Sequence, residues 1–282
     1  MTAKLDLDHL RQWIGRSMQV SDIVTAQLTK GLRATLFLEI SEPKAGDAAP
    51  FTVHWCLGQP VAAMSEIGPD GHPARGGFLP PVPLPRRMWA GGELEFHDTL
   101  RVGDEMTRIS RIADVTMKTG STGALCFVSV NHQVTTARGT AISERQDIVY
   151  RDVSRASSAP AKGAPVPPSA QHRETHMADT VLLFRYSALT FNGHRIHYDR
   201  RYAMEVEGYP GLVVHGPLQA TWLLNFAASI RGAPPSRFSF RGLSPLFDDD
   251  AVRLHAKEDG DRLKLWTARD GGPVAMSAEA AW

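Results

Sequence analysis

The stretch GLVVHGPLQATWLLNFAASIRG, residues 211–232, limits the fold more than any other part of the chain. Its apolar residues recur at helical spacing, yet Leu218, Trp222, Leu223, Leu224, Phe226 and Ile230 fall on more than one face. Such a helix must be enclosed nearly all round, because water would otherwise meet several apolar stripes. Gly232 is placed to end it. The segments that follow (SRFSFRGLSPLF, AVRLHAKE, DRLKLWTAR and PVAMSAEAAW) read as strands. The first half holds longer ones: GELEFHDTLRVGDEMTRISRIADVTMKTG around a turn at Val102-Gly103-Asp104, then GALCFVSVNHQVTT and TAISERQDIVYRD. Antiparallel sheet curling around a buried helix, twice over, is the expected α+β solution. TVLLFRYSALTF, residues 180–191, is expected as a further strand.

The two halves are separated by a Pro-, Ala- and Ser-rich segment, SRASSAPAKGAPVPPSAQ, which has no apolar period. The expected organisation is residues 1–153, a linker over 154–171, and residues 172–282. The chain has 282 residues, a net charge of +1 and no run of 18 apolar residues. No nucleic-acid partner, membrane span or membrane-surface role is expected from that balance. Cys56 and Cys126 lie in apolar surroundings and read as free thiols in a reducing compartment, so a cytoplasmic protein is expected. The N-terminal residues read as a short amphipathic helix carrying Leu7, Leu10, Trp13 and Ile14.

Chemistry is concentrated in TFNGHRIHYD, residues 190–199, which sets Asn192, His194, His197 and Asp199 close together. Such a run suits a metal cluster, an acid–base site or a solvated loop. His194-x-x-His197 with Asp199 and His215 offers metal-binding atoms, but no closed set at the usual zinc spacing, and no metal is expected. Asp199 reads as a cap for the following turn.

Asn192 to Asp199, followed by Val214-His215-Gly216-Pro217 at a helix start, resembles the motif of MaoC-type hydratases. HW at 54–55, the segment from Gly68 to Phe96 with its RRMWAGG, and ERQDIVYRD resemble a narrower branch. That branch holds mesaconyl-C4-CoA hydratases and type-2 hydroxyacyl-thioester dehydratases. The resemblance implies a double hot-dog fold, a degenerate first half that binds substrate and a second half that carries catalysis. It also implies reversible hydration of an α,β-unsaturated acyl-CoA thioester, mesaconyl-C4-CoA to citramalyl-CoA. The alternative within the class is a 3-hydroxyacyl-thioester dehydratase; outside it stand a hot-dog thioesterase and a non-catalytic thioester-binding module.

Residue by residue, the motif's catalytic aspartate falls on Asn192 and its histidine on His197. An amide has no basic site near neutral pH, so the carboxylate is missing. The expected roles follow from this. His197 is base and acid, Asn192 orients water or thioester, and His194 stands in for the carboxylate. The Gly216 N–H, at the start of the buried helix, receives the thioester oxyanion. Arg86 and Arg87 are candidates for coenzyme phosphates and Trp89 for stacking on the coenzyme, against a structural ion pair and a core position respectively. Arg185 or Arg195 would meet a free carboxylate on the acyl group. His72 and His97 have no assigned role. No cofactor is expected beyond the coenzyme A of the substrate. A homodimer is expected to cover open sheet edges.

Overall fold

A computed structural model describes residues 5–120, 123–152 and 169–282. The first half contributes α1 (Leu7–Arg11), β1 (Ser17–Ile23), α2 (Ala26–Thr35), β2 (Arg86–Phe96), β3 (Glu105–Gly120), β4 (Gly123–Thr136) and β5 (Gly139–Arg151). The second contributes β6 (His172–Met177), α3 (Thr180–Leu189), α4 (Gly216–Arg231), β7 (Arg237–Gly242), β8 (Ala251–Asp259), β9 (Arg262–Ala268) and β10 (Val274–Ala281). Most of the expected linker lies outside the described residues; at its end, the Gln171 N–H already donates to the Ala256 carbonyl on β8.

All pairings are antiparallel, and the strands form one ten-stranded sheet in the order β1-β3-β4-β5-β2-β7-β10-β9-β8-β6. The two half-sheets are thus joined edge to edge through β2 and β7 rather than left with open inner edges. The glycines of the AGGE segment permit this join. A side chain on Gly91 would meet the Phe240 carbonyl oxygen of β7 at 2.5 Å, and one on Gly92 the Phe240 ring at 3.1 Å and, on the β5 side, the Arg145 carbonyl oxygen at 2.7 Å. Backbones this close admit no Cβ.

Helix α4 is enclosed as its sequence demands. Leu218, Ala220, Trp222, Leu223, Leu224, Phe226 and Ala227 are buried, and the helix packs on β7 to β10. Two polar positions inside are paired: Thr267 Oγ1 donates to Gln219 Oε1 at 2.7 Å, and the Thr52 and Thr221 hydroxyls meet at 2.8 Å across the two halves.

Two expectations change. The first half has no long central helix; the corresponding place holds a single 3-10 turn, Val53–Cys56. Trp55 Nε1 donates to Glu144 Oε1 at 2.9 Å, and His54 Nε2 lies 3.2 Å from Glu144 Oε2, which fixes the turn against β5. Leu57-Gly58-Gln59-Pro60 then stops helical continuation, with Gly58 at φ +55°. The second change is residues 180–189, which form α3 and not a strand. Asp179 caps it by accepting from the Leu182 N–H at 2.8 Å. Leu182, Leu183, Tyr186 and Ser187 then face inward at helical spacing.

Candidate active site

Helix α3 ends at a sharp turn. Phe191 adopts φ +49°, and the Asn192 N–H donates to the Ser187 carbonyl at 2.8 Å. Asn192 Oδ1 accepts from the His194 N–H at 3.0 Å, a local Asx turn. The side-chain oxygen of Asn192 therefore shapes the loop. A 3-10 turn, Arg195–His197, follows and carries His197 inward to 7% exposure.

There the His197 Nδ1–H donates to the Val213 carbonyl at 2.7 Å. This bond fixes the tautomer and leaves Nε2 with its lone pair. Burial pushes His197 down to about 4, with the Val213 carbonyl partly opposing and His72 adding to the effect. The ring is a neutral base at neutral pH.

His215 caps the start of α4 and stacks on His197 with ring centroids 3.7 Å apart. Its Nε2 meets Ser187 Oγ at 2.9 Å, and complete burial holds it well below 6.5. His215 and Ser187 thus act on the orientation of His197, a role absent from the sequence reading. Gly216 opens α4, with Pro217 beside it in the first turn. Among the described residues, the atom that a side chain added at Gly216 would meet is Met276 Cε at 3.9 Å, an ordinary contact distance. First-turn N–H groups lack helix partners, and their dipoles favour negative charge.

His194 stands on the other side of His197, centroids 5.5 Å apart, with the planes at right angles. Burial, then the neighbouring His72 and His197, push it down to about 2. The first half reaches this point: the His72 ring lies 4.2 Å from the His194 ring, and His72 Nδ1–H donates to Asp70 Oδ2 at 3.0 Å. Among the described residues, Asp70, His72 and His194 form a donor group whose ligand atoms lie within 4.8 Å of one another. The cation set considered from sequence does not form, because Asp199 accepts from the Tyr202 N–H at 3.0 Å and from Arg195 at 2.7 Å.

The arginines divide clearly. Arg86 is 7% exposed and pairs with Glu207, Nε to Oε2 at 3.0 Å; it is the structural ion pair, not a free coenzyme contact. Trp89 is partly buried and packs edge-on against Trp55 at 4.9 Å and Phe240 at 5.6 Å, at the border of the core. Arg195 is held by Asp199 and by the Pro69 carbonyl, and Arg185 is exposed on α3. Arg87 is half-buried, and its charge reaches both His72 and His194. Two surface cavities, of about 350 and about 580 Å³, are lined by neither His72, His194, His197 nor His215, so the chemistry of the side chains locates the site.

A double hot dog with a neutral histidine beside the N-terminus of its enclosed helix defines a hydratase/dehydratase class of protein. Residues 52–248 match the family described as hydroxyacyl-thioester dehydratase type 2, and the chain belongs to that family. It is 44% identical over 266 residues to the mesaconyl-C(4)-CoA hydratase of Chloroflexus aurantiacus, covering 94% of this chain and 95% of the relative. The mitochondrial hydroxyacyl-thioester dehydratase type 2 of Schizosaccharomyces pombe is 35% identical over 135 residues, 47% of this chain and 41% of that one. Among solved structures, the MaoC-like dehydratase from Phytophthora capsici superposes with a TM-score of 0.71 at 13% identity, covering 99% of each chain. A Mycobacterium tuberculosis protein described as a double hotdog fold gives 0.54 at 13% identity, covering 95% of this chain and 96% of that one. These two likenesses concern the fold alone.

Proposed function

We propose that the chain catalyses reversible addition of water to an α,β-unsaturated acyl-CoA thioester, with mesaconyl-C4-CoA to citramalyl-CoA as the reaction. The observation that carries this is His197: a neutral imidazole with Nδ1–H tied to Val213 and Nε2 left as the lone-pair nitrogen, stacked on His215 at the start of α4. His197 Nε2 takes a proton from water as the oxygen bonds the β-carbon. The electrons of the double bond move to the thioester oxygen, which the Gly216 N–H receives. The proton is then delivered to the α-carbon, and the ring returns to its resting state. The second half carries His197 and Gly216, and the first half reaches the same site through His72 against His194.

The identity to a mesaconyl-C(4)-CoA hydratase supports the substrate. Arg87, beside the histidines, is the candidate for a free acyl carboxylate. The family also supports a second reading, dehydration of 3-hydroxyacyl thioesters. Mesaconyl-CoA and crotonyl-CoA, compared at the enoyl-thioester absorbance band, separate the two. Preference for mesaconyl-CoA, lost in Arg87→Gln with a raised KM, supports the first; preference for crotonyl-CoA overturns it. Release of free thiol would indicate a thioesterase.

No metal or other cofactor enters this reading; in the donor group of Asp70, His72 and His194, the first two already share a hydrogen bond. Dialysis against a chelator is expected to leave turnover unchanged. No helix among the described residues is long and apolar enough to cross a membrane, and a cytoplasmic enzyme is the proposed setting. A homodimer is supported by Phe37, Val181 and Phe184, each about 60% exposed, together with outer sheet edges at β1 and β6.

A further inference from the structure

The family motif's aspartate is replaced by Asn192, yet a carboxylate stands in the same cluster, brought from 122 residues earlier in the chain. We propose that Asp70 is the carboxylate of this active site. In this arrangement His72 links it to His194, and the first half supplies what the second lacks. The inference rests on the hydration reading above.

Three independent contacts hold the two loops together. The Arg195 N–H donates to the Asp70 carbonyl at 2.9 Å. The Arg195 guanidinium donates to the Pro69 carbonyl at 3.0 Å. Gly71 and Gly193 meet backbone to backbone: a side chain on Gly71 would lie 1.8 Å from the Gly193 oxygen, and one on Gly193 would lie 2.6 Å from the Gly71 oxygen. Gly71 has φ +89°. A loop without regular structure is thus seated against the catalytic turn with no room for a Cβ on either side.

The side chains continue this contact as a row. Asp70 Oδ1 accepts from the His72 N–H at 3.1 Å, while Oδ2 accepts from the His72 ring at 3.0 Å. His72 lies against His194, and His194 against His197, at 4.2 and 5.5 Å between centroids. Burial alone would push the Asp70 carboxyl up, but the His72 hydrogen bond and the charges of His72 and His194 hold it well below the usual carboxylate range. An ionised carboxylate therefore ends a row of imidazoles that Arg87, Arg75 and His215 face with positive or neutral groups.

The row serves the proton that hydration moves. When water yields its proton to imidazole, positive charge appears in a buried site where burial opposes it. Asp70 is the counter-charge for that imidazolium, felt through His72 and His194. The proton leaves again to the α-carbon, so the row ends each cycle as it began and no other reactant is consumed. Asp70 and His72 are positioning residues; His197 touches the reacting atoms.

The test is Asp70→Asn, which keeps the Oδ1 acceptor and the loop's shape while removing the charge. Expected is a drop in kcat of roughly 100-fold, little change in KM, an unchanged melting temperature, and an acid limb of kcat/KM moved to lower pH. The limb moves that way because an imidazole without its counter-charge is harder to protonate. His72→Gln is expected to lower kcat similarly, and Asp70→Glu to restore part of it. Asp70→Asn with wild-type kcat and an unmoved acid limb overturns the proposal. A fall in kcat with an unmoved limb does so too, since it marks a structural role. If His197→Ala keeps full turnover, the hydration reading itself fails, whatever Asp70→Asn shows.

Discussion

At the scale of single residues, the site depends on keeping imidazoles neutral and aimed. Ser187 Oγ is the hydrogen-bond partner of fully buried His215, which in turn stacks on His197. Ser187→Ala would leave a buried ring nitrogen unsatisfied, at about 1–3 kcal/mol by the usual cost of such groups. A lowered melting temperature together with reduced kcat is the expected result of differential scanning fluorimetry and steady-state assay. The base form of His197 is also the reason for a flat pH profile. With His197 pushed down to about 4, its proton-accepting form dominates above that value. Hydration kcat/KM is therefore expected to hold constant from pH 8 to near pH 5 and to fall below it. A limb near 6.5 would show that His197 is not buried as described. Sequence made His197 legible, because its motif is local. It left Asp70 and His72 out, because their partner lies 122 residues away. The signal was there as Asp70-Gly71-His72: a polar pair around a glycine in an otherwise Gly- and Pro-rich loop.

At the scale of elements, burial pattern and capping decide what composition leaves open. Helix α4 was readable because its apolar faces admit one solution, enclosure by sheet. Helix α3 was not, because Val181, Phe184 and Tyr186 suit a strand equally well, and the Asp179 cap acts through a geometry that composition does not display. In the first half, His54 and Trp55 lie in a short 3-10 turn whose hydrogen bonds to Glu144 tie it to β5, a contact 89–90 residues away that the local sequence does not display. Leu223 is fully buried in α4. Leu223→Ala is expected to cost about 2–5 kcal/mol in urea unfolding, by the usual range for a buried leucine. Gly91→Ala should disturb the β2–β7 join and lower solubility, read by size-exclusion chromatography; an unchanged elution profile and melting temperature would count against the close approach described.

At the scale of the whole molecule, the neutral histidines couple stability to pH. In the unfolded chain each takes a proton near 6.5. In the folded chain His197 is pushed down to about 4 and His215 well below 6.5. Between those values the unfolded state binds more protons, so stability rises with pH there and is fully present above about 6.5. Each fully buried ring contributes a slope of up to about 1.4 kcal/mol per pH unit. Asp70 and Glu144, held low by their partners, add their losses only below the ordinary carboxylate range. Urea unfolding from pH 8 to 4.5 is expected to show a plateau and then a fall beginning near 6.5; a stability that stays level to pH 4.5 would contradict the buried, neutral cluster. The sheet also runs on through β2 and β7, a join that no stretch of sequence reveals because the glycines at it carry no apolar pattern.

Addition of water to an enoyl thioester by His197 is tested most directly by following the enoyl-thioester absorbance of mesaconyl-CoA with the wild-type chain and with His197→Ala. The predicted result is loss of the band without free thiol for the wild type, and a rate lower by roughly 100-fold or more for a correctly folded His197→Ala. Release of free thiol by the wild type, or an unaltered rate in His197→Ala, would contradict it.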